Sequence, residues 1–199
     1  MKNQTLFWES EPFKLSVAEY LTRSAFKSTP IVLEIPDTDS IESLYDKGCA
    51  QEIWRFSRYP KTSSSVFRQY FDRALARRDS LSFVIREQKE GKIAGFTRLK
   101  SIGKMRGAET GTWFLPQYQN KHLNFFAKKI LLGIAFDLLE LSNVYCYVSQ
   151  ENIPSIKSLK NMGFVSQEGY SREKRCADGR AQAQEFLLFD SANYLSVFG

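Results

Sequence analysis

An α/β fold of the α+β kind is predicted for this chain, with one mixed, mostly antiparallel, twisted sheet and helices on both faces. Three observations predict it. Short runs of β-branched and aromatic residues bounded by turn residues recur along the chain. Segments with helical apolar spacing lie between them. From Glu109 to Phe164 a strand, a polar loop, a long apolar helix, a second strand and an Asn-led helix follow one another without a gap.

The elements follow in order. Ile31 to Ile35 reads as a first strand and Ser40 to Cys49 as a short helix. Ser63 to Arg78 reads as an amphipathic helix capped by Ser63 or Ser64, with Val66, Tyr70, Phe71, Ala74 and Leu75 at helical spacing. Leu81 to Glu87 and Lys92 to Ser101 form a hairpin about the turn at Lys89 to Lys92. Glu109 to Leu115 is a strand that ends at Pro116, which cannot donate to a ladder. Gln117 to Asn124 is a polar loop, and Phe125 to Leu141 a helix apolar round nearly its whole circumference, hence a core helix. Asn143 to Ser149 is a buried strand. Asn152 leads a helix with Pro154 in its first turn, Ile156 and Leu159 inward, and Gly163 as its stop. A strand then runs to about Arg172, a loop covers Ala177 to Arg180, and Gln184 to Phe189 closes the sheet. Residues 1–29 and 190–199 are less readable.

At 199 residues and 43% hydrophobic content, the chain can bury one substantial core, and no stretch has a linker's composition. A single domain over 1–199 is the economical reading, with 1–29 as an N-terminal extension. Asp137 and Glu140 break the longest apolar run, so no membrane span is expected. Met1 to Gln4 is followed by Glu9 and Glu11 rather than by an apolar block, which predicts no signal peptide. Cys49, Cys146 and Cys176 are odd in number and widely spaced beside a single histidine. That predicts cytoplasmic residence with neither a disulfide framework nor a metal site. A net charge of +6 suits either a phosphate-bearing ligand or a ribosome or nucleic-acid partner. With no helix-turn-helix, zinc finger or aromatic RNA-binding signature, no specific nucleic acid is expected.

The chemistry narrows by elimination. His122, the one histidine, lies in the polar loop, which argues against Ser-His-Asp and Cys-His arrangements, and neither a nucleophile elbow nor a Walker loop is present. The start of the long helix offers free backbone N–H groups and a positive dipole end to an anion, with Lys121, Lys128 and Lys129 adding charge. The plainer reading makes Asn124 an N-cap and the lysines a solvated face.

The Asn152-x-x-Ser155-(x7)-Gly163-Phe164 pattern, preceded by Gly111 to Pro116, the polar loop and Ala127, resembles the GNAT superfamily of acetyl-CoA-dependent N-acetyltransferases. The branch most similar is that of ribosomal-protein (serine or alanine) N-terminal acetyltransferases. Its features are matched by the strand and helix over 31–45, by Ile53-Trp54, Gly95 to Thr97, Glu168-Gly169 and Arg172, so the resemblance covers roughly residues 30–190. It implies a GNAT-like sheet whose strands ending near Leu115 and Ser149 lie parallel and splay apart to admit a pantetheine arm. It further implies acetyl-CoA as co-substrate, held by Phe114, Leu115, Gln119, Asn120, Lys121, His122, Leu123, Asn124, Asn152, Ser155 and Lys160. The family's two loop glycines fall here on Asn120 and His122, the non-glycine types most at home at positive φ. Glu109 is the implied general base, with Glu173 and Glu168 as substitutes. Its plainer reading is an exposed strand residue. Many family members carry an acid tyrosine seven residues after the Asn, and here that position is Leu159. The ribosomal-protein branch uses the serine three residues on, which is Ser155. It also reads as part of a helix cap. Trp54, Arg55, Phe56 and Tyr59 lie where the family frames its acceptor groove, or else in the core.

Three functions follow as expectations. The first is acetyl transfer to a primary amine, a protein N-terminus or a small molecule, by a monomer or homodimer. The second is an acyl-CoA-binding module that has lost turnover, and the third a basic ribosome- or nucleic-acid-binding protein.

Overall fold

The computed structural model describes residues 11–22 and 28–198. The leader reading at Met1 to Glu9 lies outside them. Helix α1 (Glu11–Leu21) is followed by β1 (Ile31–Glu34), α2 (Thr38–Lys47), α3 (Ser64–Leu75), β2 (Ser80–Glu87), β3 (Ile93–Lys100), β4 (Gly107–Phe114) and α4 (Leu123–Gly133). Then come β5 (Asn143–Ser149), α5 (Ile153–Asn161), β6 (Val165–Ser166), β7 (Arg172–Arg175), β8 (Ala181–Asp190) and α6 (Ser191–Phe198). Among the described residues the strands form one sheet in the order β1-β2-β3-β4-β5-β8-β6, with β7 also on β8. Every pairing is antiparallel except β4 with β5.

Local chemistry explains the helix starts. Asp37 accepts from the Ser40 N–H at 2.8 Å while the Asp37 N–H donates to Ser40 Oγ at 3.0 Å, a reciprocal cap for α2. Ser63 caps α3 by accepting from the Val66 N–H. Each sheet face has its own core. One packs α1, α4 and α5 around residues such as Phe83, Ile130, Val144 and Phe189. The other packs α2, α3 and Trp54 around Phe67, Phe71, Phe96 and Leu115.

Two expected elements change. The long helix starts at Leu123, not Phe125, and leaves α geometry after Gly133 for a π-helical stretch at Ile134–Leu138. That wider turn carries Asp137, which accepts from Tyr20 Oη at 2.6 Å and Tyr194 Oη at 3.0 Å, tying α4 to α1 and α6. The strand after Phe164 is split: β6 is two residues long, a 3₁₀ turn at Glu168–Tyr170 follows, and β7 re-forms only where Arg172 can pair with Gln184.

The strand geometry that positions the site is the fate of the parallel pair. β4 and β5 are in register at Gly107 with Asn143, Ala108 with Val144 and Glu109 with Tyr145, and there the pairing ends. Both strands continue, to Phe114 and Ser149. They splay from Glu109 onward, as the resemblance implied.

Candidate active site

A cleft of about 1510 Å³ opens at the splay, lined by β4, β5, the loop from Tyr118 to Asn124, the start of α5, and residues 52–61. Glu109 stands at the pivot. Its Oε1 lies 2.7 Å from Lys100 Nζ on the neighbouring strand. Burial pushes the Lys100 ammonium below its ordinary pKa, and Glu109 opposes that shift.

Downstream of the pivot, the Leu115 N–H donates to Ala94 O at 2.8 Å. Antiparallel alternation then turns the N–H of Phe114 away from β3, toward the gap. Leu115 itself is buried in the α2–α3 core, so of the two predicted strand-end residues only Phe114 lines the cleft.

The loop is built from left-handed backbone. Asn120 has φ of 58° and His122 of 57°, the conformation that glycine supplies in the family and that Asn and His tolerate best. His122 is the N-cap of α4 but makes no side-chain cap bond, and Asn124 is the second residue of the helix rather than its cap. The first N–H groups of α4 therefore lack a capping side chain at the cleft, beside the exposed Lys121 and His122. Gln119 Nε2 donates to Phe114 O at 3.1 Å, fastening this loop to the strand end.

On the opposite wall Asn152 caps α5, its Oδ1 accepting from the Ser155 N–H at 3.3 Å. This leaves the Asn152 amide N–H groups as donors, and both Asn152 and Ser155 line the cleft. Leu159 is buried, so no hydroxyl reaches the site from the family's tyrosine position.

Several side chains fall elsewhere than expected. Lys160 Nζ pairs with Glu185 Oε1 at 2.7 Å, whereas Lys157 on the same helix lines the cleft. Lys129 lies 5.3 Å from the Phe198 ring centroid, away from the loop. Lys128 does not decorate the helix start but points into the splay. It is 4% exposed, and its ammonium donates to Thr110 Oγ1 at 2.7 Å and to Thr112 Oγ1. Burial brings its pKa down to about 8. The apolar circumference of the helix is the signal that a residue here is inside, even one that carries a charge. Trp54 belongs to the core, its Nε1 donating to Gly48 O at 2.7 Å, and also lines the cleft, together with Arg55, Phe56 and Tyr59. Glu168 and Glu173 are exposed and outside the cleft, so Glu109 is the carboxylate at its pivot. Lys61, Arg98 and Arg172 also line it, and only the sheet register and the 51–63 loop bring them there.

Among the described residues, no group of three His, Cys, Asp or Glu could hold a metal ion, and no helix is long and apolar enough to cross a membrane. The donor set fits an acyl-CoA: backbone N–H groups and cations at one end, and a gap between strands with an inward N–H in the middle.

No curated protein sequence matches the chain. Among solved structures it is similar to spermidine N-acetyltransferase from Vibrio cholerae in complex with CoA and spermine, at 20% identity over 83% of this chain and 98% of that one, with a TM-score of 0.72. It is also similar to a GCN5-related N-acetyltransferase from Brucella melitensis, at 18% identity over 86% of this chain and 80% of that one, with a TM-score of 0.72. At these identities the likeness speaks for the fold. Residues 31–165 match the acetyltransferase (GNAT) domain family. Two-thirds of the chain thus carries the family's pattern, and the protein belongs to the GNAT family of N-acetyltransferases.

Proposed function

We propose that the protein transfers the acetyl group of acetyl-CoA to a primary amine by direct attack in a ternary complex, with residues 1–199 acting as one catalytic domain. The observation that supports this best is the shared geometry of the cleft. The splay begins at Glu109 and leads to the start of α4, where no side chain caps the helix. In this reading Glu109 takes a proton from the amine, whose nitrogen attacks the thioester carbonyl. The Phe114 N–H supports the oxyanion, Asn152 holds the pantetheine amide, and Ser155 donates a proton to the departing sulfur as the C–S bond breaks. The enzyme works in the cytoplasm, which its three unpaired cysteines support, and as a monomer or homodimer.

The acceptor is a protein N-terminus or a small amine. The features shared with the ribosomal-protein branch, Ser155 above all, support the former. The Vibrio cholerae neighbour, whose ligand is spermine, raises a polyamine as the alternative. An acyl-CoA-binding module without turnover keeps the support of Leu159 and of the ion pair that holds Glu109.

Calorimetry is expected to show CoA binding that weakens as salt rises, because the phosphate contacts are backbone dipoles and exposed cations. Asn120→Gly and His122→Gly are expected to retain or improve that binding, since each relieves a left-handed non-glycine residue without removing a cap bond. Failure of wild-type protein to bind CoA or acetyl-CoA at millimolar ligand would remove both the enzyme and the lapsed-module readings. With binding in hand, mass spectrometry of amine and peptide acceptors tests turnover.

A further inference from the structure

The acceptor side of the cleft holds more positive charge than it can neutralise. Arg98 and Lys100 on β3 share a sheet face with Glu109 and Trp113 on β4, because Arg98 stands directly across from Gly111 and Lys100 across from Glu109. This face lies under residues 51–61, whose Arg55, Arg58 and Lys61 line the same cleft. Against these cations the described lining offers two carboxylates, Glu52 and Glu109, and Glu109 is already paired with Lys100.

Among the described residues only Lys100 of these cations has an ion-pair partner, and two of the others, Arg98 and Lys61, are partly withdrawn from water. Arg98 Nη2 donates to Tyr70 Oη at 3.2 Å, but Nη1 is buried and has no hydrogen-bond partner among the described residues. Lys61 Nζ sits 4.7 Å and 4.8 Å from the centroids of Trp54 and Tyr70 and, among the described residues, donates only to Ser57 Oγ, at 3.3 Å. Burial, followed by the charges of Arg98, Arg58 and Lys100, brings its pKa down to about 8. A guanidinium N–H withdrawn from water and left unpaired is costly, and a second cation held beside it raises the cost. A carboxylate or phosphate, which guanidinium binds through paired N–H donors, relieves both.

There is also room for one. A Cβ built at Gly111 meets nothing within 4 Å, so the strand surface between Glu109 and Trp113, facing Arg98, is open. Glu109 and Arg98 are diagonal neighbours across the β3–β4 pair, a separation of about 7–8 Å between backbones. A small molecule with its nitrogen at Glu109 can place a group a few bonds away against Arg98.

Resting on the acetyltransferase reading, we infer that the acceptor is a primary amine bearing a carboxylate or phosphate a few bonds from its nitrogen, seated over Gly111 with that anion on Arg98 and Lys61. The same charges repel a polycation, so polyamines are poor acceptors here.

Initial rates on matched acceptors test this: β-alanine against its amide, aminoethyl phosphate against ethanolamine, peptides with Asp against Lys at the second residue, and spermidine. The anionic member of at least one pair is expected to show kcat/KM about tenfold or more above its partner, and which pair does so identifies the source of the anion. Spermidine should rank last. Arg98→Gln is expected to abolish the preference through KM while leaving CoA affinity unchanged. Gly111→Ala, whose methyl meets no protein atom, should raise acceptor KM in a protein that folds normally. Equal rates within every pair, or a preference for spermidine, would overturn the inference.

A second readout needs no turnover. With CoA saturating, inorganic phosphate should raise the thermal midpoint of wild type above chloride at equal ionic strength, and should not do so for Arg98→Gln. If CoA fails to bind, the same comparison on free protein still decides the anion site, because Arg98→Gln leaves every residue of the α4 loop unchanged. No phosphate effect in wild type, or an equal one in Arg98→Gln, sinks the site even if acetyl transfer is found.

Discussion

Glu109→Gln is expected to lower kcat by about 10²- to 10⁴-fold with little change in CoA affinity. The substitution keeps the size of the side chain and removes its basicity at the point where β4 and β5 part. The loss should shrink as pH rises and more of the amine arrives already deprotonated. Glu109 is also the partner of Lys100, so the variant leaves an ammonium without its carboxylate. A thermal melt run alongside at each pH separates that cost from the chemical one, because a structural loss of rate follows the melting point across the pH range and a chemical one does not. Ser155→Ala provides the contrast. A thiolate of ordinary pKa, about 8.5, is already a fair leaving group, so this loss should be small and rise only modestly with pH. An unchanged rate for Glu109→Gln across the pH range, with an acceptor known to be turned over, would take Glu109 out of the mechanism.

The other large effect is expected in stability. Lys128→Met should raise the thermal midpoint at pH 7, by an amount on the order of a few degrees per kcal/mol for a chain of this size. Wild type holds an ammonium deep in the splay, where two threonine hydroxyls and no carboxylate receive it. The sign follows from its depressed pKa of about 8 against an ordinary value of 10.5. Between those values the unfolded chain binds the proton and the folded one does not, so wild-type stability rises with pH across that window. Below about pH 8 the full cost of burying the charge is present. The advantage of methionine should therefore be largest near neutrality and narrow toward pH 10.5. Differential scanning calorimetry from pH 6 to 10.5 checks this. A variant less stable than wild type at pH 7, with a difference that does not move with pH, would show that Lys128 contributes by holding Thr110 and Thr112 rather than by enduring desolvation.

Much of the fold was legible because its signals are local. The strand ending before Pro116, the Ser63 cap, the hairpin over 81–101 and the stop at Gly163, whose φ is +100°, each follow from residues that restrict their own backbone or bond to a near neighbour. The choice of Asn and His at the two left-handed loop positions was legible for the same reason. Glu109, Asn152, Ser155 and the loop were identified through a pattern of residues in order along the chain, and they line one cleft.

What the chain order could not supply is which way a side chain points once helix phase and strand register are set. Lys128, Lys157 and Lys160 look alike as letters on helices; packing buries the first between strands, turns the second to the cleft and hands the third to Glu185. The π-helical turn at Ile134–Leu138 and the anion-deficient cluster at Arg98 and Lys61 have the same origin. Arg98 meets Gly111 only through the β3–β4 register, and it meets Lys61 only because residues 51–63 fold back over that sheet face. Local propensity decides where elements begin and end, and the sequence alone determined that much. Long-range pairing decides which charges must share a space withdrawn from water, and only the tertiary structure sets it.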